Sequence, residues 1–169
     1  MIVNIPLELG YGLTEHVESF NCCLYQRGSV WYLEGAETQE QAQLLIDTYN
    51  PWPVEKAKKL VEINQSFVEA VEALTAGVTQ AEKDSWEIQQ REANSYPNDC
   101  PNITILANSR GIPLDSLVAK IKDKSELYAT NYFMLQGMRD KLEDTIKSYP
   151  NSGQHELLPS LMALVYVWR

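Results

Sequence analysis

Histidine and cysteine are the residue types with the most chemical potential in this sequence, and both are scarce. The 169 residues include two histidines and three cysteines. His16 and His155 stand in weakly patterned stretches, and neither has a cysteine, aspartate or histidine at the spacing of a zinc ligand set. Cys100, beside Asp99, could serve as a nucleophile, but no histidine follows it in the context of known cysteine enzymes. We therefore expect no metal site, no cofactor and no catalytic residue.

Known active-site motifs are also absent from the sequence. It contains no glycine-rich phosphate loop, no HExxH zinc motif and no GxSxG nucleophile elbow. Paired carboxylates occur, as at Glu143-Asp144, but on an amphipathic helix such pairs usually face solvent, whereas acid–base catalysis needs a pocket that shifts the pKa. The sequence predicts a protein that is not an enzyme. A small enzyme with an unrecognised site is the alternative.

Nothing in the sequence directs the chain into or through a membrane. Residues 1–6 lack the basic and long apolar regions of a secretory signal. No run reaches 18 apolar residues, and the nearest candidate, Leu157–Trp168, is short and contains Pro159. Three cysteines make no disulfide framework, so we expect reduced thiols in a cytoplasm.

The acidity of the chain excludes one class of partner. Its formal net charge is −9, from 14 basic and 23 acidic residues. Nucleic-acid binding draws most of its affinity from lysine and arginine on phosphates, and no window of this chain holds a basic run. Anionic membrane surfaces are disfavoured for the same reason. We expect neither a nucleic acid nor a membrane as partner.

The negative charge is concentrated in the first part of the chain. Residues 1–50 carry seven acids and one base, giving −6, whereas residues 51–169 carry sixteen acids and thirteen bases, giving −3. Two prolines around Trp52 divide these parts and predict a stiff, extended linker in which the tryptophan is a packing anchor. We predict one domain in residues 1–50, a linker at 51–53 and a second domain in 54–169.

The first domain has the pattern of a small sheet. Ile2–Ile5 predicts a strand that Pro6 pushes towards a sheet edge. Residues 19–25 and 29–33 are rich in aromatic and β-branched side chains, and the link at 26–28, which ends in glycine, predicts a hairpin.

A short helix follows this predicted hairpin. Thr38 and Gln41 have the spacing of a capping box, which predicts a helix to about Tyr49. Residues 13–19 are compatible with either a helical turn or a loop.

Aromatic side chains are dense in the first domain. Seven occur in residues 1–53, and a domain of about 50 residues has few interior positions. Because aromatic side chains are favoured anchors at protein interfaces, we predict that Tyr25, Trp31 and Tyr32 bind a partner. The alternative is that they form the core of a small β unit.

From Val54 to Ala76 the sequence has the pattern of a helix with a heptad repeat. Apolar residues recur at spacings of three and four, which predicts a seam for self-association. The residues predicted to oligomerise are Leu60, Ile63, Phe67, Val71 and Leu74. The alternative is that this seam packs on later helices of the same chain. Glu55 and Lys59 are expected to form an i,i+4 pair on the exposed face.

Four further helices are predicted in the remainder of the chain. Thr79 and Glu82 form a second capping box that begins the first of them. The apolar tail at residues 156–169 predicts no clear element. The four helices are predicted at residues 79–95, at 102–110, from Pro113 onwards and at about 124–149.

Residues 51–149 contain a series of short motifs in a definite order. They are Leu74-Thr75-Ala76-Gly77, Glu82, Ser85-Trp86, Gln89, Glu92-Ala93, Ile105-Leu106-Ala107, Arg110-Gly111, Leu117–Ile121 and Leu135–Asp140. Their order and spacing resemble the C-terminal helical region of bacteriophage tail fibre assembly chaperones and related tail proteins. The sequence departs from that pattern after Asp99, where Cys100-Pro101-Asn102 stand in place of small residues. Residues 1–50 and the tail after 150 carry no such resemblance.

The resemblance implies a non-catalytic role in virus assembly. Chaperones of this family bind the tail fibre, the receptor-binding trimer of the tail, and assist its folding and trimerisation. The implied partner is therefore a phage tail fibre protein, and the implied place of action is the host bacterial cytoplasm during assembly. Because the fibre is threefold, we expect a homo-oligomer that is a trimer. The alternatives are a structural tail protein retained in the virion and a host-directed inhibitor.

Taken together, these observations predict an α+β fold. A small N-terminal β-rich domain would bind the fibre, and an all-α helical domain would follow it and oligomerise. An aromatic, acidic N-terminal domain suits the recognition of one particular fibre, since an interface must match its own partner.

Overall fold

A computed structural model describes residues 1–5 and 12–167 of the chain. The chain has a three-stranded antiparallel sheet near its N-terminus and is otherwise mostly helical, which confirms the predicted α+β class. It divides into two compact units, one of residues 1–65 with 140–167 and one of residues 66–139. This division differs from the predicted boundary at residues 51–53, because the C-terminal part of the chain belongs to the same unit as the sheet.

The sheet has the strand order β1-β3-β2, with both pairs antiparallel. Its strands are β1 (Ile2–Val3), β2 (Cys23–Arg27) and β3 (Val30–Glu34). The predicted hairpin is confirmed, but its turn consists of Gly28 and Ser29 because Arg27 already pairs with Val30. A φ of 61° at Gly28 is a left-handed conformation that glycine adopts without strain. The predicted edge residue Pro6 lies outside the described residues.

Two short helices cover one face of this sheet. Helix α1 spans Leu13–Glu18, which resolves the ambiguity at residues 13–19 in favour of a helical turn. Helix α2 spans Gln39–Asp47 and begins as the capping box predicts, because Thr38 Oγ1 accepts the backbone N–H of Gln41 at 3.1 Å. The buried core between helices and sheet consists of Val3, Leu13, Val17, Cys22, Leu33, Ala42, Ile46 and Tyr49.

Helix α3 spans Trp52–Leu74, so the extended linker predicted at residues 51–53 is wrong. Proline is tolerated in a first helical turn, where the backbone N–H has no intrahelical acceptor to lose. Asn50 Oδ1 accepts the backbone N–H of Trp52 at 3.3 Å, and the N–H of Glu55 donates to the carbonyl of Pro51 at 2.9 Å. Trp52 is fully buried, which confirms the prediction that it is a packing anchor.

The end of the chain returns to the first turns of α3. Trp52 Nε1 donates to the carbonyl of Gly153. Lys56 Nζ donates to the carbonyl of Tyr149 at 2.6 Å and to Asn151 Oδ1 at 3.0 Å. These contacts join residues about 100 positions apart in the sequence, so the first unit is completed only by its last segment.

The apolar tail forms a 3₁₀ turn at His155–Leu157 and then helix α8 at Leu158–Met162. Lys59 Nζ donates to the carbonyls of Met162 and Leu164, at 3.0 and 3.1 Å, where this helix ends. Lys59 of α3 therefore donates to backbone oxygens at and just after the C-terminal end of α8, where carbonyl groups lack an intrahelical donor.

The exposed Glu55–Lys59 pair predicted on α3 is wrong. These two side chains are only 2% and 3% exposed. Each pairs instead with a more exposed neighbour three residues away: Glu55 with Lys58 at 3.1 Å and Lys59 with Glu62 at 2.7 Å. The C-terminal segment contacts Lys59, whereas Glu55 lies near Gly12 and Tyr49, so distant parts of the chain bury side chains that sequence periodicity alone assigns to solvent.

The second unit is built on three helices that share a core. They are α5 (Trp86–Ser95), α6 (Pro101–Arg110) and the N-terminal part of α7, which spans Leu114–Ser148. The shared core consists of Ala93, Ile103, Ala107, Leu117, Val118 and Ile121. Helix α6 ends as predicted at Gly111, whose φ of 63° is left-handed.

Two predicted helix boundaries in this region are wrong. The single helix predicted at residues 79–95 is two, α4 (Gln80–Asp84) and α5, which meet at Ser85. The hydroxyl of Ser85 donates to the carbonyl of Glu82 at 2.7 Å, a local bond that competes with helix continuation. The two helices predicted after Pro113 are one, α7, because the Lys-Asp-Lys stretch at residues 122–124 contains no helix breaker.

The carboxylate of Glu92 on α5 caps the start of α6. Its Oε2 accepts the backbone N–H of Ile103 at 3.0 Å, and its Oε1 accepts a hydrogen bond from the side chain of Asn102. Burial raises the pKa of Glu92, but these hydrogen bonds together outweigh burial and lower its pKa below the ordinary value of 4.5. The ionised carboxylate is therefore favoured in the folded protein.

We expect this lowered pKa to affect how the free energy of unfolding changes with pH in the acidic range. A carboxyl whose pKa is depressed on folding contributes stability above its unfolded pKa, and that contribution is lost as the pH falls through the folded pKa. Glu92→Gln should therefore be less stable than the wild type at pH 7, with a difference that shrinks below about pH 4.5. Urea unfolding at several pH values measures this. Glu87→Gln, an exposed position on the same helix, is the control, and identical pH profiles for Glu92→Gln and the wild type would contradict the assignment.

Candidate interaction surfaces

His16 is half-buried in the first unit. Its Nε2 lies 3.2 Å from the backbone oxygen of Leu45, and its ring packs on the rings of Phe20 and Tyr49. Burial, with Glu55 and a second nearby carboxylate adding to it, raises the pKa of Tyr49 to about 12. This histidine and its neighbours therefore serve packing.

The three cysteines are free: Cys22 is buried, Cys23 exposed and Cys100 half-buried. Within residues 1–5 and 12–167, no group of three or more His, Cys, Asp and Glu side chains is arranged to hold a metal ion. In the same ranges, no helix combines the length and the apolar character needed to cross a membrane.

The face of the sheet opposite α1 and α2, here called the outer face, carries two of the predicted partner-binding residues. Tyr25 and Tyr32 stand directly opposite each other in the β2–β3 register, and their rings stack at 5.5 Å with an interplanar angle of 10°. Ile2 pairs with Tyr32 from the other side and is exposed. The guanidinium of Arg27 lies 5.4 Å from the centre of the Tyr25 ring. The outer face thus presents three apolar side chains in a row beside one cation.

Trp31, the third predicted partner-binding residue, lies on the inner face. Successive side chains of a strand point to opposite faces, so Trp31 cannot share a face with Tyr32. It lies on the same face as Leu33 and packs against the buried core formed by the sheet and its helices. Trp31 is half-buried there, which fits the alternative of a core position, and its partner binding stays a prediction. Strand alternation together with the apolar Leu33 was the signal that could have assigned it.

The predicted oligomerisation seam on α3 is largely covered within a single chain. Ile63 is buried, so the structure leaves it no surface for a second copy. Leu60, Phe67, Val71 and Leu74 are half-buried. The ring of Phe67 lies 6.2 Å from the ring of Tyr132 on α7. Part of the heptad pattern therefore reflects packing inside the chain, as the alternative reading of the seam holds.

The second unit contains an open groove of about 840 Å³ that was not predicted. Its floor is a continuous set of aromatic rings from α5 and α7. Trp86 meets Tyr128 edge to face at 5.9 Å, and Tyr128 stacks on Tyr132 at 6.2 Å. Leu127 and Phe133 also line it and are 63% and 67% exposed. Together with the aromatic floor they make a contiguous apolar surface, which is a candidate binding site.

The charged residues that line this groove divide by helix. The acids are Glu82 on α4 and Glu87 on α5, which we call the acidic wall. The bases are Arg110 at the end of α6 with Lys120 and Lys124 on α7, which we call the basic wall. None of these five forms an ion pair with another residue of the described ranges.

Sequence reasoning missed the groove because its residues come from every helix between α3 and α7. One partial signal exists: Lys120, Lys124, Tyr128 and Tyr132 follow one another at spacings of four, which places them on one face of α7. Only the folded unit brings Trp86 and the acidic residues to that face.

Comparison with protein-family models, with curated proteins and with solved structures finds no match to this chain. The outer face of the sheet and the groove of the second unit are therefore assigned on geometry and charge.

Proposed function

We propose that this chain is a non-catalytic binding protein that acts as a phage tail fibre assembly chaperone through the outer face of its sheet. The observation that supports this most is the row of Ile2, Tyr32 and Tyr25, which offers stacked aromatic anchors on a rigid hairpin. Aromatic side chains are enriched among the residues that dominate binding energy at interfaces. The order of motifs in residues 51–149 supplies the choice of partner, since it resembles this chaperone family.

The physical task of such a chaperone follows from the nature of its client. Tail fibres are β-rich trimers, and a partly folded β chain exposes strand edges and apolar faces that aggregate. Contact with the outer face would cover this surface until three fibre chains come into register. Glu34, exposed and on the same face as Tyr32, and Arg27 would border the contact and select a fibre surface with matching charges.

The stoichiometry and place of action belong to the same proposal. A threefold fibre would bind one chaperone copy on each of its chains, which gives a trimeric assembly. Fibre folding precedes virion completion, so the chaperone would work in the cytoplasm of the host bacterium.

Co-expression with the fibre of the same phage tests the function. We expect soluble fibre trimers, resistant to dissociation, with the wild-type chain and aggregated fibre without it. Fibre that trimerises in soluble form in the absence of the chain would refute the proposal. Mass spectrometry of purified virions tests the alternative, because a structural tail protein would be present at stoichiometric level.

The double variant Tyr25→Ser, Tyr32→Ser tests the assigned surface. We expect it to lower the yield of soluble fibre trimer about tenfold or more, since two interface anchors are removed. Leu44→Ser is the matched control, because Leu44 is an exposed apolar residue on α2 in the same unit. The yield is measured on gels that separate native trimer from monomer. Equal yields with both variants would show that the outer face does not bind the fibre.

A further inference from the structure

The groove of the second unit carries charges of both signs, and they are segregated. The acidic wall belongs to α4 and α5, and the basic wall belongs to α6 and α7. The two walls hold two acids and three bases, so the groove is close to neutral within a chain of net charge −9. A partner whose surface carries charges of one sign only would be attracted by one wall and repelled by the other.

A second copy of this chain presents the complementary arrangement. When two such grooves face each other, the acidic wall of one copy meets the basic wall of the other. The exposed side chains of Leu127 and Phe133 are then withdrawn from water against the aromatic floor of the neighbouring copy. Burial of exposed apolar surface supplies the driving force, and the walls fix the relative orientation.

We propose that the groove face of residues 66–139 is the surface through which copies of this chain associate, with the acidic wall of each copy against the basic wall of the next. This inference goes beyond the proposed function, because it concerns the purified chain and requires no fibre. It also relates two of the predicted oligomerisation residues to the groove. Leu74 lines the groove and Phe67 contacts Tyr132 in its floor, so part of the heptad pattern supports this face.

Charge reversal of one wall at a time provides the first test. Lys120→Glu with Lys124→Glu makes both walls acidic, and Glu82→Lys with Glu87→Lys makes both basic. All four positions are exposed, so the helical fold should survive, and circular dichroism checks this. Sedimentation equilibrium should show the wild type at a multiple of 19.2 kDa and each double variant with about tenfold or greater weakening of association.

The quadruple variant that exchanges the walls is the decisive measurement. It carries all four reversals and keeps Arg110, so the α4–α5 wall bears two lysines, the α6–α7 wall has a net charge of −1, and opposite signs still meet between copies. We expect its association to return to within a few-fold of the wild-type value. A control with the same charge change outside the groove, Lys122→Glu with Lys141→Glu, should associate like the wild type.

Three results would overturn the inference. A wild type that sediments as a monomer at 100 μM or so would exclude stable self-association. Double variants that associate like the wild type would place the contact elsewhere. A quadruple variant that stays monomeric while folded would show that wall-to-wall pairing does not hold the copies together. Each result can be obtained whether or not the chain acts on a fibre.

Discussion

Replacement of Trp52 by alanine is expected to lower the free energy of unfolding by about 3–5 kcal/mol, the cost of deleting a large buried aromatic side chain. Trp52 is fully buried, and its ring lies 5.9 Å from that of Tyr149. Its indole N–H also satisfies the carbonyl of Gly153, which the substitution leaves without this donor. A loss of this size is a large fraction of the 5–15 kcal/mol that typically stabilises a protein.

Urea unfolding followed by circular dichroism at 222 nm measures the effect. Trp52→Phe keeps one aromatic ring and removes the N–H with part of the buried volume, so we expect a smaller loss of about 1–3 kcal/mol. Trp86→Ala is the matched control, because Trp86 is a half-buried tryptophan at the groove and should cost less than Trp52→Ala. If the two alanine variants unfold at the same urea concentration, Trp52 is not the anchor that its burial indicates.

Lys59→Met should lower the free energy of unfolding by about 1–3 kcal/mol, because two partly buried carbonyl groups lose a charged donor. The methionine retains most of the apolar stem, so the loss reports on the ammonium group. That group donates to the carbonyls of Met162 and Leu164. Its ion pair with Glu62 contributes little, since the Glu62 carboxylate is exposed.

The same denaturation measurement compares Lys59→Met with Lys141→Met, an exposed lysine of the same unit that should have almost no effect. Hydrogen exchange adds a local readout, because the amides of α8 should lose protection in Lys59→Met alone. If the amides of α8 kept their protection in Lys59→Met, Lys59 would not stabilise the C-terminal segment, and the assigned contact would be contradicted.

Short-range features of this fold were predictable from sequence, and long-range burial was not. The hairpin and the two threonine caps depend on residues within a few positions of each other, so their signals are local. The burial of Lys59 depends on a segment about 100 residues further along the chain. A heptad or amphipathic pattern on α3 contains no information about which distant segment will cover the polar side.

The outer face of the sheet was predictable from short-range signals, whereas the groove was not. Tyr25 and Tyr32 each lie three positions from the two-residue turn at Gly28 and Ser29, so the register of the hairpin alone brings them together. Trp31 lies on the opposite face from Tyr25 and Tyr32, a separation that aromatic density does not predict and that the alternation of the strand does. The groove was missed because its floor and its two walls come from separate helices, and only tertiary packing aligns Trp86 with Tyr128.

The discontinuous first unit has a consequence for synthesis on the ribosome. Residues 66–139 form a compact unit from one continuous stretch of chain, so they can fold as soon as they emerge. The unit that contains the sheet needs residues 140–167 as well, and these are made after residues 66–139. Until Met162 and Leu164 leave the ribosome, the ammonium of Lys59 has no backbone oxygens to bind and the indole of Trp52 has no carbonyl from Gly153. The sheet and its helices are thus completed only after residues 140–167 have emerged.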